Sequence, residues 1–243
     1  MSDKKYAILG DIHGNLEALT TVLSDASDRG IKSFVCVGDV VGYNANPSEC
    51  LDIIRDLSCS TVRGNHDHYC VFDENLDDFH PLAANVVDWT RKHLRKDQIE
   101  YLKNLKYSMV MSGFSVVHST LDMPDKWGYV FDNLEADANF AYQTTSLCFH
   151  GHTHVPVIYE KQGRVTRSQP AKLKIQIGRK YFINVGSVGQ PRDGDPRTCY
   201  ATYDLQTKEI EFIRLPYDVE TTQQKIHDAG LPERLSARLA VGK

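Results

Sequence analysis

Two short runs, Asp11-Ile12-His13 and His152-Thr153-His154, place metal-ligating side chains two residues apart. On extended backbone, residues two apart point to one face, so each run can present both donors to one ion. Gly38-Asp39 adds a carboxylate, and Gly64-Asn65-His66-Asp67 adds an amide oxygen, an imidazole and a second carboxylate. His118 stands alone at the end of an apolar run. The neighbouring glycines let backbone and metal approach closely. Carboxylate, imidazole and amide oxygen without thiolate favour manganese, iron or zinc over copper or an iron–sulfur cluster. Asp11, His13, Asp39, Asn65, His118, His152 and His154 are too many donors for one tetrahedral ion, and a structural zinc site without a single cysteine is atypical. They suit two divalent ions that share one carboxylate, an arrangement able to hold a bridging hydroxide and clamp a phosphoryl group during in-line attack. Turn-forming Asp and Asn beside surface His would explain any one of these runs, but is a poor account of all of them together.

Each group follows a stretch that reads as a strand: residues 6–9, 33–37, 61–62, 114–117 and 147–149. In an open α/β sheet the carboxyl ends of the strands converge on one crevice, where ligands bind. Asn15 caps a helix over 16–29 that Gly30 ends, and Pro47 opens another to about residue 57. This strand–helix alternation predicts a parallel sheet covered by helices. Pro81 starts a helix to about 95, Asp97 caps one to about 105, Ser112-Gly113 turns a hairpin, and a helix covers 134–142. From 155 onward the pattern changes to strands at 155–159, 173–177, 181–185, 200–205 and 210–215, then two helices in 219–239 broken at Gly230-Leu231-Pro232. The expected fold is α/β (an α+β sandwich) over residues 1–243 as one domain. Two facing mixed sheets, one of them more antiparallel, would be flanked by helices.

Gly-Asp-x-His-Gly, Gly-Asp, Gly-Asn-His-Asp, a strand-end His and Gly-His-Thr-His occur in that order between residues 10 and 154. This series resembles the calcineurin-like metallophosphoesterase superfamily. The likeness continues through Gly38–Tyr43, residues 81–91, 186–197, 216–218 and 229–232. Those stretches resemble a compact bacterial and archaeal branch of small phosphodiesterases, related to diadenosine tetraphosphatase and to protein phosphatases. The resemblance implies that Asp11, His13 and His154 hold one metal, that Asn65, His118 and His152 hold a second, and that Asp39 bridges them. It implies further that His66 contacts the phosphate as general acid or electrostatic stabiliser while Asp67 holds its orientation. The implied reaction is hydrolysis of a phosphoester by a metal-bridging hydroxide, without a covalent intermediate. Asn44-Ala45 and Ser119-Thr120 depart from the commoner pairs at those places, and both bear on substrate preference.

The remaining sequence narrows the reading. Net charge is −4, with 28 basic and 32 acidic residues interspersed, so no dedicated nucleic-acid surface or membrane association is expected. The six cysteines form no C-x-x-C pair, and the N-terminus shows no signal or spanning segment, which points to the cytoplasm. Substrate expectation falls on a small nucleotide or cyclic nucleotide, cleaved as diester or monoester. The alternatives are a serine/threonine-type protein phosphatase and a non-catalytic metal-binding scaffold. The metals are expected to be two divalent ions, manganese first, with iron, zinc, nickel or cobalt open, as is a homo-oligomer. Trp127 and Tyr129 form either an aromatic lid or packing, and Arg63 either touches phosphate or lies at the surface. Arg192 and Arg197 are read as fixing a loop or an oligomer contact, and Asn184–Ser187 as a turn, with an approach to the site as its alternative. His68, His80, His93, His150 and His227 are left outside the site.

Overall fold

The computed structural model describes residues 5–74, 76 and 81–243. His80 and the first four residues lie outside them. The first third of the chain follows the expected alternation: β1 (Lys5–Leu9), α1 (Leu16–Asp28), β2 (Ser33–Cys36), α2 (Pro47–Asp56), β3 (Ser60–Thr61) and α3 (Asn65–Tyr69). Asn15 caps α1 by accepting from Ala18 N at 3.0 Å. At the other end Gly30 takes a φ of +69°, and the N–H groups of Gly30 and Ile31 close onto Ser27 O and Ala26 O. That is the left-handed C-terminal cap glycine permits. The middle holds α4 (Pro81–His93), α5 (Lys96–Asn104), β4 (Ser108–Met111), β5 (Phe114–Val117), α6 (Asn133–Tyr142) and β6 (Leu147–His150). The remainder is β7 (Val157–Gln162), β8 (Arg164–Ser168), β9 (Leu173–Lys174), β10 (Lys180–Asn184), β11 (Thr198–Asp204), β12 (Glu209–Leu215), α7 (Val219–Asp228) and α8 (Glu233–Leu239).

The strands form two six-stranded sheets, ordered β3-β2-β1-β11-β12-β9 and β4-β5-β6-β10-β7-β8. Both are mixed to the same degree, which corrects the expectation of one more antiparallel sheet: β3-β2-β1 and β5-β6-β10 pair parallel, and every other neighbour pairs antiparallel. Ile8, Val35, Phe114, Phe149, Tyr181, Ile183 and Ala201 fill the space between the sheets. On the outer faces, one apolar layer lies under α1 and α2 and another under α6. Two local expectations fail and one strand is added. Asp97 does not cap α5, which begins at Lys96 with the Arg95 N–H bonded to Gln98 Oε1 at 3.0 Å. Only Leu173–Lys174 of the predicted 173–177 strand pairs, and β8 was not foreseen. Among the described residues, no helix is long and apolar enough to cross a membrane.

Candidate metal centre

All seven predicted ligands lie just beyond, or one turn beyond, the carboxyl ends of parallel strands. Asp11 and His13 follow β1, Asp39 follows β2, Asn65 opens α3 after β3, His118 follows β5, and His152 and His154 follow β6. The local conformation is not the extended backbone expected for D-x-H and H-x-H. Asp11, His13, Asp39, His152 and His154 have φ of +51°, +50°, +54°, +71° and +59°. Asp and His enter this left-handed region more readily than most residues, yet each still costs about 1 kcal/mol or more. The surroundings enforce it: Asp11 N donates to Gly38 O at 3.1 Å, His13 N to Asp39 O at 2.9 Å and Gly151 N to His118 O at 2.9 Å. Tight turns, rather than strand alternation, aim these donors inward.

The hydrogen bonds fix which ring nitrogens are free. His13 Nδ1 donates to Val41 O at 3.0 Å, His154 Nδ1 to Gln190 O at 2.6 Å, His118 Nδ1 to Val37 O at 3.0 Å, and His152 Nε2 to Trp127 O at 2.9 Å. A carbonyl oxygen only accepts, so in each neutral ring the other nitrogen carries a bare lone pair. In the neutral rings of His13 and His154 two such lone pairs face each other, Nε2 to Nε2 at 3.1 Å, while His118 Nε2 lies 3.1 Å from His152 Nδ1 and 3.0 Å from Asn65 Oδ1. Acceptor against acceptor at such distances is repulsive without a cation between them. Asp11, His13, Asp39 and His154 form one such set, and Asp39, His118 and His152 another. Asp39 belongs to both. Its Oδ1 accepts from His66 N at 2.8 Å, while Oδ2 lies 3.5 Å from His13 Nε2 and 3.4 Å from His118 Nε2. Hard oxygen and imidazole donors of this kind, without a thiolate, fit divalent cations.

The protein groups alone set the charges of the donors. Burial holds His13, His152 and His154 well below the usual histidine range, which keeps them neutral. Burial opposes a charge on His118, but Asp39, Asp11 and the Val37 carbonyl outweigh it and bring that ring up to about 9. Burial, with the neighbouring Asp39 charge, raises Asp11 to about 7. Asp39 itself is held low, because His118, His66 and His13 outweigh its burial.

His66 lies beside the centre, its ring 4.8 Å from that of His13 and 4.4 Å from that of Tyr43. Its Nδ1 is buried without a hydrogen-bond partner. Burial lowers its pKa to about 4, so it is neutral and still carries one N–H. The expected Asp67–His66 link is absent from the hydrogen bonds of Asp67. The Asp67 carboxylate instead accepts from the N–H groups of Asp39 (2.8 Å), Val40 (2.9 Å), Val41 (3.2 Å) and Gly64 (3.0 Å). Successive residues on a helix do not face each other, so Asp67 points to the Asp39 loop and fixes that instead.

Arg192, which the sequence reading assigned to fixing a loop or an oligomer contact, faces the centre. Its guanidinium lies 5.4 Å from the Tyr43 ring centroid, and its charge disfavours protonation of His13, His66, His152 and His154. Arg197 does fix its loop, through Asp195 at 2.7 Å. The Asn184–Ser187 turn reaches the site: Asn184 Nδ2 holds Gly151 O (2.5 Å) and Thr153 Oγ1 (3.0 Å), and Ser187 Oγ holds Asp11 O (2.8 Å). Arg63 meets neither expectation. It is buried, donating to Leu102 O and Lys103 O in the last turn of α5 and lying over Phe72 and Tyr107. Trp127 and Tyr129 separate. Trp127 is buried near His118, Tyr107 and His68. Tyr129 is 49% exposed, stacks on His152 at 4.1 Å, and has the exposed Phe131 parallel to it at 5.3 Å.

Residues 5–208 match the calcineurin-like phosphoesterase superfamily domain. The chain is 38% identical over 247 residues to the uncharacterized protein MJ0912 of Methanocaldococcus jannaschii, with the full length of both covered. It is 37% identical to a metallophosphoesterase from Sphaerobacter thermophilus, whose crystal structure superposes with a TM-score of 0.90 over 100% of both chains. The hypothetical protein PH1004 of Pyrococcus horikoshii OT3, at 20% identity, shares the fold with a TM-score of 0.80 over 98% of both.

Proposed function

Since this chain belongs to the calcineurin-like phosphoesterase superfamily and is a metal-dependent phosphoesterase, we propose that it hydrolyses a small nucleotide or cyclic nucleotide ester at a pair of divalent ions, manganese first among them. The observation that carries the two-ion reading is Asp39 Oδ2, placed between the ring nitrogens of His13 and His118 at 3.5 and 3.4 Å. In this reading Asp11, His13 and His154 hold one ion, Asn65, His118 and His152 hold the other, and Asp39 belongs to both. Bound there, the ions supply Lewis acidity and a water whose pKa falls from about 15.7 toward about 7.

The chain's own residues do the rest. His66 donates its N–H to a phosphoryl oxygen and steadies the charge that develops there. Asp67 acts through the backbone of residues 39–41 as a positioning residue. Arg192 adds the fixed positive charge at the mouth. The parallel, exposed rings of Tyr129 and Phe131 favour a nucleotide, because such faces stack on a base with about 1–3 kcal/mol. All six cysteines are buried and unpaired, which supports a reducing compartment such as the cytoplasm. The test is a metal assay with a panel of mono- and diesters on purified protein. Two ions per chain and a preference for nucleotide diesters are expected. A fully loaded protein with one ion and no second site on titration would sink the two-ion mechanism.

A further inference from the structure

A second concentration of positive charge lies outside the metal donors. Arg234 and Arg238 project one turn apart from the same face of α8. With Leu82, Ala237, Val241 and Lys243 they line a cavity of about 430 Å³. One apolar cluster links the wall of this cavity to the metal centre. Leu82, Leu235 and Leu239 share an apolar cluster with Tyr43, whose ring also touches His13 (4.5 Å) and His66 (4.4 Å) and lies under Arg192. Gly194 N donates to Gly242 O at 2.9 Å, tying the Arg192 loop to the segment that carries Val241 and Lys243. Burial, and then the nearby Arg192 charge, lower the pKa of Arg238.

The acidic residues that could neutralise this patch are engaged elsewhere: Asp193 pairs with Arg214, and Asp195 with Arg197. Among the described residues, no carboxylate side chain pairs with Arg192, Arg234 or Arg238. Arg192 donates to the uncharged amide oxygen of Gln190, and Arg238 Nε to the main-chain oxygen of Lys243, the last residue of the sequence, which leaves Arg192 and Arg234 as the cations without an anionic partner among the described residues. Like charges one turn apart weaken a helix, and this chain, at net −4, has carboxylates enough to have offset them. Forked guanidinium groups match phosphate oxygens.

We infer that this cavity binds a second phosphoryl group of the substrate, with Arg192 between it and the metal centre, so that the preferred small molecules carry two phosphoryl groups. The inference rests on the phosphoesterase reading. Its test uses two probes that differ by one group, the p-nitrophenyl ester of thymidine 5′-phosphate with and without a 3′-phosphate, and the metal-loaded full chain. The wild type is expected to show a KM about tenfold or more lower for the 3′-phosphorylated probe, the scale of a charge-assisted hydrogen bond. Arg234→Gln and Arg238→Gln should each shrink that ratio toward one. Arg234→Gln guards against misfolding, since Arg234 has no structural partner among the described residues. A titration of chelator-treated protein with inorganic tripolyphosphate gives a readout independent of turnover, and both variants should bind it several-fold more weakly. Equal KM values in the wild type, or a preference that survives both substitutions, overturn the second-phosphate pocket and leave the phosphoesterase reading standing. If neither probe is hydrolysed, that reading fails and the tripolyphosphate titration decides the pocket: no binding, or binding equal in the variants, overturns it.

Discussion

The two oxygens of Asp39 have different tasks. Oδ1 is tied to His66 N at 2.8 Å, which leaves Oδ2 facing both sets of donors. Asp39→Asn keeps the shape but removes the charge that the two proposed ions would share, so metal content measured by emission spectroscopy should fall at both sites. An Asn variant that holds two ions would show that Oδ2 does not bridge. His66→Ala should behave differently, because His66 offers the centre no donor in either set. It is expected to keep its metal and lose kcat by about 10²–10⁴, the usual worth of a positioned acid or hydrogen-bond donor. Loss of metal in that variant would make His66 a structural residue. Trp127, and Phe131 stacked beside Tyr129, give two separate predictions. Trp127 is 9% exposed, and truncating a buried aromatic costs about 3–5 kcal/mol. Trp127→Ala should therefore lower Tm by roughly 6–20 °C in a chain of this size. Phe131→Ala should instead raise KM several-fold for a nucleotide diester while a small aryl diester is hydrolysed about as before; equal losses on both would remove the stacking argument. The candidate metal donors that the structure brings together were legible in the sequence because their chemistry and spacing are local. Asp67 and Arg192 were not, since their partners lie at residues 39–41 and 43.

At the scale of elements, the site depends on how closely the β2 and β3 loops approach. A Cβ at Gly64 would stand 2.1 Å from Asp39 Oδ1 and 2.4 Å from Asp39 N, and the backbone atom cannot rotate away. Gly64 itself has an ordinary φ of −94°, so the requirement there is space rather than conformation. Gly64→Ala should push α3 off the Asp39 loop, lower Tm and strip metal. Gly163→Ala is the control: its φ is +79° but nothing lies within 4 Å, so it should cost about 1 kcal/mol and keep its ions. If the Gly64 variant binds metal as the wild type does, the loop spacing is less demanding than the structure indicates. Strands whose carboxyl ends carry ligands were legible as short apolar runs bounded by glycine. β8 was not, because Arg164–Ser168 is a largely exposed edge strand whose residues give no apolar alternation. α3 was hidden for another reason: at five residues it is too short for a periodic signal, and its sequence reads as a turn.

At the scale of the whole molecule, the centre straddles the sandwich. Asp11, Asp39 and Asn65 come from the ends of one sheet, and His118, His152 and His154 from the ends of the other. Between the sheets the contact is apolar, through residues such as Ile8, Val35, Phe149 and Ile183. At the ligand end it is polar and made of facing acceptors. Ions bound there would therefore add a further join between two layers that meet through their hydrophobic faces and a few hydrogen bonds, such as His118 Nδ1 to Val37 O and His152 N to Asp11. Binding to the folded state alone stabilises by about 2.7 kcal/mol at a free-ion concentration 100 times Kd. In a chain of this length each kcal/mol is worth about 2–4 °C in Tm. Adding chelator to loaded protein is thus expected to lower Tm by roughly 5–10 °C for each ion lost, and restoring manganese should recover it in two resolvable steps. Amide exchange gives the location: protection should fall first in the loops after β1, β2 and β6, with β11 and β12 retaining theirs. A chelated protein whose Tm and exchange pattern match those of the loaded form would mean that the ions do not join the layers, and that the facing lone pairs are relieved by protons alone.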